Sequence, residues 1–452
     1  MHALVNTHTM PGVPGGGISF ASMRAWLVPA ALLAAVIPTL AVAQVGDDLT
    51  VQPVVPQGFD RDRNISVTGR SRPSYTPIGI RAGGVLVFPR LRTGFGGTTN
   101  AYLTNSNAVA APFTVVEPAI RAVSNWSRHS LEVSGSASFR DYIGQERRNE
   151  RTWNLGTSGD LDLGRFFNVA FDADASQYFE NQFSGEVTSD VAALSRVRRD
   201  YVMIRGQYQA GRARAFVVAD VADFRFRPLP LTNGNTRDQS ERNREVKRLI
   251  GQVEYARTPT VSLFAQVGYT STDFDGRVLS GTTRRDSSAL RFLAGTNVDI
   301  AGRARGTVGV GYSIRDYQSA TVATVRGISA EAELELFPTE LFTITGTARR
   351  SIEDSTFANQ APFFDTRFSL RGDYEALNNL IVSARADYNT QSYIGSDLTG
   401  SGYGVGTSAR YLASRRVTFD ASLGYNHRQN AGTANSRNTN EARFEAGISF
   451  HI

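Results

Sequence analysis

Between positions 331 and 387 charged side chains recur at strand spacing: Glu331, Glu333 and Glu335, then Arg367, Arg371 and Asp373, then Arg385 and Asp387. Successive side chains of a strand point to opposite faces, so residues two apart share one face. Such a face can hold acids and guanidiniums in ion pairs, or offer a polar track to a hydrophilic solute. In either case it must be wet, because taking so many charges out of water without full pairing is prohibitive. Glu331, Glu333 and Glu335 are expected to face Arg367 and Arg371 two strands away, over the small Thr343, Thr345 and Thr347. Separate acidic and basic tracks would result. Catalysis finds less support. A wall or rim site needs a histidine beside a carboxylate or serine. His2 and His8 lie at the N-terminal extremity, His129 in a predicted turn, and His451 next to the last residue. His427 points by parity to the apolar face. No H-E-x-x-H, G-x-S-x-G or P-loop pattern occurs. With no cysteine, disulfides and thiolate metal sites are excluded. The expectation is a protein without cofactor that is not an enzyme.

The elements that would carry these residues alternate apolar and polar positions. Val308, Val310, Tyr312 and Ile314 interleave with Thr307, Gly309, Gly311 and Ser313. Val417, Phe419, Ala421, Leu423 and Tyr425 interleave with Thr418, Asp420, Ser422 and Gly424. A two-sheet sandwich would also alternate. These segments match the roughly 9–11 tilted residues that cross a bilayer, and the polar face is repeatedly charged. Connections alternate too. Short ones are expected at 125–129, 258–259, 337–340, 376–379 and 412–415, and long ones at 227–245, 273–286, 353–362 and 429–440. Short turns on one side and long loops on the other mark a transmembrane barrel. About 18 antiparallel strands between Gly84 and Ile452 are predicted, with both termini on the short-turn, periplasmic side. On this reading Val310 faces lipid and Gly309 the lumen, where arginine should be tolerated. One loop differs: Val187, Val191, Leu194 and Val197 predict a helix over Glu186–Arg199, lying on the surface or folding into the pore.

The 452 residues are 41% hydrophobic, yet apolar residues rarely run together as in a soluble α/β core. The net charge of +6 is carried by arginine with a single lysine, Lys247. The basic residues form no run, so nucleic acid is not an expected partner. Residues 1–43 read as a signal peptide, with initiation possible at Met23. Arg24 precedes the apolar stretch Ala25–Leu40, and Ala41-Val42-Ala43 sets cleavage between Ala43 and Gln44. Residues 44–78, rich in proline and arginine, predict an extended periplasmic segment. It is too short for the plug domain of energised import receptors. Residues 79–452 are the predicted barrel. Its last strand places Phe444, Ala446, Ile448, Phe450 and Ile452 on one face, with an aromatic near the end. That pattern is expected to be read by the barrel-assembly machinery.

Two stretches resemble a known family. Gly79-Ile80-Arg81-Ala82-Gly83-Gly84-Val85-Leu86-Val87-Phe88-Pro89 leads to a glycine-rich stretch ending at Asn100. Asn125-Trp126-Ser127-Arg128-His129-Ser130-Leu131 is followed by Tyr142 at a strand end. Both are similar to the putative β-barrel porin 2 family of proteobacterial outer-membrane proteins. Family members have an acidic, aromatic sequence where Gly96-Gly97-Thr98-Thr99 stands here. The resemblance implies an outer-membrane barrel in a lipid and lipopolysaccharide environment, and a part in secreting surface or exopolysaccharide. A periplasmic polysaccharide export protein would then dock near residues 44–78. The polar lumen equally suits a general diffusion channel for small hydrophilic solutes, which needs no partner.

Overall fold

Residues with this two-residue period form strands, and the strands close on themselves. The computed structural model describes residues 64–452 apart from 181–182, 184–192, 232–233, 276–284, 320–321, 356–361 and 433–436. The cleavage site Ala43-Gln44 lies outside the described residues. The wall begins with β1 (Val85–Thr98), β2 (Ala111–Ser124), β3 (Ser130–Tyr142), β4 (Glu150–Asp162), β5 (Phe167–Phe179) and β6 (Arg196–Ala210). It continues with β7 (Ala213–Phe226), β8 (Arg244–Ala256), β9 (Val261–Phe274), β10 (Ser287–Ile300), β11 (Ala304–Tyr317) and β12 (Val325–Thr339). The last six are β13 (Phe342–Glu353), β14 (Phe363–Leu377), β15 (Leu380–Tyr393), β16 (Thr399–Leu412), β17 (Val417–Ala431) and β18 (Arg437–His451). Each strand pairs antiparallel with its sequence neighbours. β1 pairs with β18 from Arg90↔His451 to Thr98↔Arg443, so no edge is left open. The protein is a closed, antiparallel, 18-stranded barrel, with a three-residue strand, Ile80–Ala82, folded back on the start of β1.

Closure answers the chemistry of the bilayer. Each backbone group left unpaired in hydrocarbon costs several kcal/mol, so a membrane sheet must have no edge. Outward positions are apolar and exposed, among them Val310, Phe292, Leu249, Val253, Leu370 and Leu423. Aromatic pairs ring both rims as interfacial girdles. At the short-turn end are Phe166–Tyr208, Phe342–Tyr374 and Tyr411–Phe419. Toward the loop end are Phe95–Phe444 and Tyr403–Tyr425. His427 stacks on Tyr403 on this outer face, 5.0 Å between ring centroids. The β2–β3 ladder is interrupted where Glu117 and Pro118 have no partner, because proline brings no N–H to the ladder.

Short and long connections alternate, from two residues at 211–212 to seventeen at 227–243. β1 starts and β18 ends on the short-turn side. Three expectations change. The predicted loop 429–440 is largely strand: β17 reaches Ala431, β18 starts at Arg437, and Gln429 pairs with Asn438. Polar residues can continue a ladder above the membrane, so polarity alone misplaces the loop. The predicted turn 337–340 shrinks because β12 runs to Thr339. The predicted helix does not extend to Arg199. Val197 lies in β6, fully buried in an inward cluster with Ala222, Phe224, Phe226 and Val246. Leu194 is coil, and Val187 and Val191 lie outside the described residues.

The facing of Val310 and Gly309 follows the predicted parity, but the space at Gly309 does not. A Cβ there would meet the ring of the inward Phe264 at 2.9 Å. Ser369 is the better lumen control: it is inward and flanked by Thr347 and Asp387. Val310→Arg should cost about 2–4 kcal/mol, the cost of arginine on a barrel's lipid face near the midplane. Ser369→Arg should cost little. The yield of heat-modifiable barrel in outer membranes measures both, and equal yields would overturn the facing assignment.

Candidate functional site

The lumen is built around arginines held by carboxylates, and the densest network lies on the seam where the chain's two ends meet. Arg92 of β1 is 1% exposed. Its Nη2 lies 2.5 Å from Oδ2 of Asp420 on β17, its Nη1 2.7 Å from Glu445 on β18, and Nη1 again 3.2 Å from Glu117 on β2. Gly447 makes the room: a Cβ on it would lie 2.8–2.9 Å from the Arg92 guanidinium. Arg140 of β3 extends the network, reaching Glu445 at 3.1 Å and Glu150 of β4 at 2.7 Å. Arg148 completes it on Glu150. Guanidinium forks suit such multidentate carboxylate pairing. None of these residues stood out in the sequence. The available signal was the alternation Arg90-x-Arg92 in the first strand, but two of the three acids that Arg92 holds, Asp420 and Glu445, lie more than three hundred residues away.

The eight predicted lining residues all project inward, though not into two tracks. Glu331 bonds Arg291 of β10, reaching over β11, and Glu335 bonds Arg305 on β11. The ladder's salt bridges therefore run toward lower strand numbers, away from β14. Arg367 bonds Asp365 at 2.5 Å, Arg371 bonds Asp373 at 2.9 Å, and Arg385 bonds Asp387 at 2.6 Å, each within its own strand. Two positions along one strand face the same side, and these short spans outcompete a reach across two strands. Glu333 is the exception. It lies between Thr307 and Thr347, is exposed, and has no ion pair among the described residues.

Side-chain contacts fasten both mouths. At the loop end, Arg242 pairs with Glu180 of a neighbouring loop at 2.6 Å, both almost fully buried. Arg285 donates to the carbonyls of Ser355 and Glu241, tying two loops together. At the short-turn end, residues 64–78 do not run extended. They make two turns inside the mouth, at 67–70 and 73–76. Asn64 Nδ2 donates to Asp299 at 2.8 Å, and Val67 N, in a fully buried residue, donates to Thr343 Oγ1 at 2.9 Å. Arg70 and Arg72 share one oxygen of Glu375, at 2.9 and 2.7 Å. Arg415, in the β16–β17 turn, donates to the Pro73 carbonyl. The segment thus straps the mouth from β10 to β17. Among the described residues no group of three or more His, Asp or Glu side chains is placed to hold a metal.

An apolar outer face, aromatic girdles, a closed ladder and a charged lumen define an outer-membrane β-barrel of the porin type. A family profile described as putative β-barrel porin 2 matches residues 72–451. The chain belongs to that family. Among curated protein sequences none matches it. Solved structures similar to it include OpdL from Pseudomonas aeruginosa (11% identity, covering 82% of this chain and 100% of that one, TM-score 0.42). OccK2 (OpdF) from the same organism, solved with glucuronate, is 12% identical and covers 81% of this chain and 98% of its own (TM-score 0.42). A mutant of that organism's ferric enterobactin receptor PfeA, in complex with enterobactin, is 8% identical over 81% of each chain (TM-score 0.43).

Arg92→Met leaves Asp420 and Glu445 buried without their shared cation, a loss worth about 3–5 kcal/mol. The urea midpoint of the folded barrel should fall sharply, whereas an unchanged midpoint would show that the seam network is dispensable. At the mouth, Glu375→Gln removes the charge that both strap arginines share. Limited trypsin digestion of the folded protein should then cut after Arg70, a site the wild type protects; Arg72 precedes Pro73 and is not cut. Equal protection would place the strap's anchor elsewhere.

Proposed function

We propose that the protein is a polar conduit of the outer membrane that passes hydrophilic cargo, and that this cargo is a surface or exopolysaccharide on its way out. The observation that carries the conduit is the wet, mixed-charge inner face of the 18-stranded wall, presented by alternate residues whose neighbours face lipid. The cargo assignment rests on the family resemblance. A sugar polymer is recognised by hydroxyl and charged donors such as these, and an extended strand needs only a narrow path. On this reading a periplasmic export protein docks on the strapped short-turn mouth. The outward strand Phe444, Ala446, Ile448, Phe450 and Ile452 serves as the mark for the barrel-assembly machinery.

A second reading, a diffusion channel for small solutes, is favoured by the crowding of one wall. Phe216, Val218 and Ile250 fill the lumen beside β7 and β8, and Phe264 fills it beside β9, which leaves less room for a polymer. Deleting the gene discriminates: surface polysaccharide should be lost on the first reading and unchanged on the second. The conduit itself is tested in planar bilayers. Glu333 is an unpaired lumen acid, so Glu333→Gln should shift the reversal potential under a salt gradient toward anion selectivity without loss of heat-modifiability. An unchanged potential in a correctly assembled variant would remove Glu333 from the conducting path.

A further inference from the structure

The strap and the seam wall border a half-open cavity of about 540 Å³ that begins near the short-turn end and runs along the wall to Trp153 and Tyr178. That is within the roughly 300–1,000 Å³ of pockets that hold small ligands. Arg72, Tyr75, Phe88, Arg90, Arg410 and His451 are among its lining residues. Most lumen arginines have a carboxylate, but two here do not. Arg90 of β1 stands opposite His451 of β18, and Arg410 of β16 opposite Asp420 of β17. The nearby acids are already committed. Both oxygens of Asp420 accept from Arg92, and Glu117 accepts from Arg92 and Ser138. The next cations are also taken, Arg121 by a two-point bond to Glu132 and Arg72 by Glu375. Arg90 and Arg410 are half-buried and have no salt bridge or side-chain hydrogen bond among the described residues, and the Arg90 Nε is buried without a partner. Besides the attraction of Asp420, Arg410 feels the like charges of Arg371, Arg90 and Arg92.

A partly desolvated guanidinium without an acceptor is an uncompensated cost, and a guanidinium fork matches a carboxylate or phosphate. We infer that this cavity is a binding subsite for an oxyanion-bearing solute, its acidic group held between Arg90 and Arg410. The wall's own charge pairing supports this: Arg92 gathers three acids onto one cation and leaves two cations facing the cavity. The aromatic faces of Tyr75 and Phe88 give the rest of the solute an apolar wall. The inference names the charge class of a solute for the conduit proposed above and borrows that reading only for how the solute arrives.

Calorimetry on the full chain, folded in detergent at low salt, tests the subsite directly. Galacturonate and inorganic phosphate should bind and galactose, the neutral counterpart, should not; the tighter of the two acids identifies the preferred anion. Arg90→Gln/Arg410→Gln should weaken binding roughly tenfold or more, the loss expected for charge-assisted pairs. Arg90→Lys/Arg410→Lys should retain part of it. The single variants Arg90→Gln and Arg410→Gln relieve repulsion, so they should fold, and each should weaken binding. Equal affinity in the glutamine variants, equal binding of galactose, or no binding of either acid to the wild type overturns the subsite. Planar-bilayer current is read separately: wild type that binds galacturonate but conducts no ions would defeat the conduit and leave the subsite standing.

Discussion

In a bilayer no water is present to complete a broken ladder, so the join between the first strand and the last is the contact on which the rest of the barrel depends. Seventeen of the strand pairings are made between sequence neighbours. The eighteenth joins Arg90–Thr98 to Arg443–His451, across nearly the whole chain. Such a contact forms only after a very long loop has been closed, and its entropy must be met by something local. Arg92 supplies it. Its guanidinium holds Asp420, Glu445 and Glu117, so that β17, β18, β1 and β2 are fastened at one point. The space for it comes from the absent side chain of Gly447. The same interaction that closes the wall therefore decides which charges are left to face the lumen.

That distribution separates structural from available charge. Where an arginine is bonded to an acid two residues along its own strand, as in Arg371–Asp373, the pair stiffens the wall and presents little net field. Where one cation collects several acids, neighbouring cations are orphaned, and Arg90 and Arg410 are the result. Glu333 is the converse, an acid whose neighbours Glu331 and Glu335 have taken the nearby arginines. On the conduit reading, selectivity is governed by the few residues that the pairing of the rest leaves free. A count of all lumen charges would miss this.

The class of fold was legible because two constraints act on every strand at once. Lipid on one side and water on the other force the two-residue period seen at Val308–Ile314, and the bilayer fixes the strand length. Alternating loop lengths then set the sidedness. Cross-strand partners were not legible. The tilt and stagger of the wall decide whether Glu331 meets Arg291 or Arg367, and no local pattern encodes that stagger. The helix expected around Val197 failed because a few apolar residues at helical spacing also fit a strand when an inward cluster is waiting for one of them. The strap was hidden for a different reason. Residues 64–78 have no periodicity, and their meaning lies in Glu375, some three hundred residues away.

The two mouths follow different physical logic. At the loop end the contacts are a buried ion pair, Arg242–Glu180, and the reach of Arg285 between loops. A buried pair is costly to break because each charge is then stranded. The short-turn mouth is strapped by contacts of another kind. One carboxylate, Glu375, serves two arginines, and the Arg70 member of that trio is partly exposed. Arg72 and Glu375 are themselves buried, so the Arg70 arm is the part that water or a competing acid can replace. Any rearrangement that widens the path should therefore begin at the strap. The strap's Arg72, Tyr75 and Thr76 also line one side of the arginine cavity, so displacing the strap would remove that side of the cavity as well.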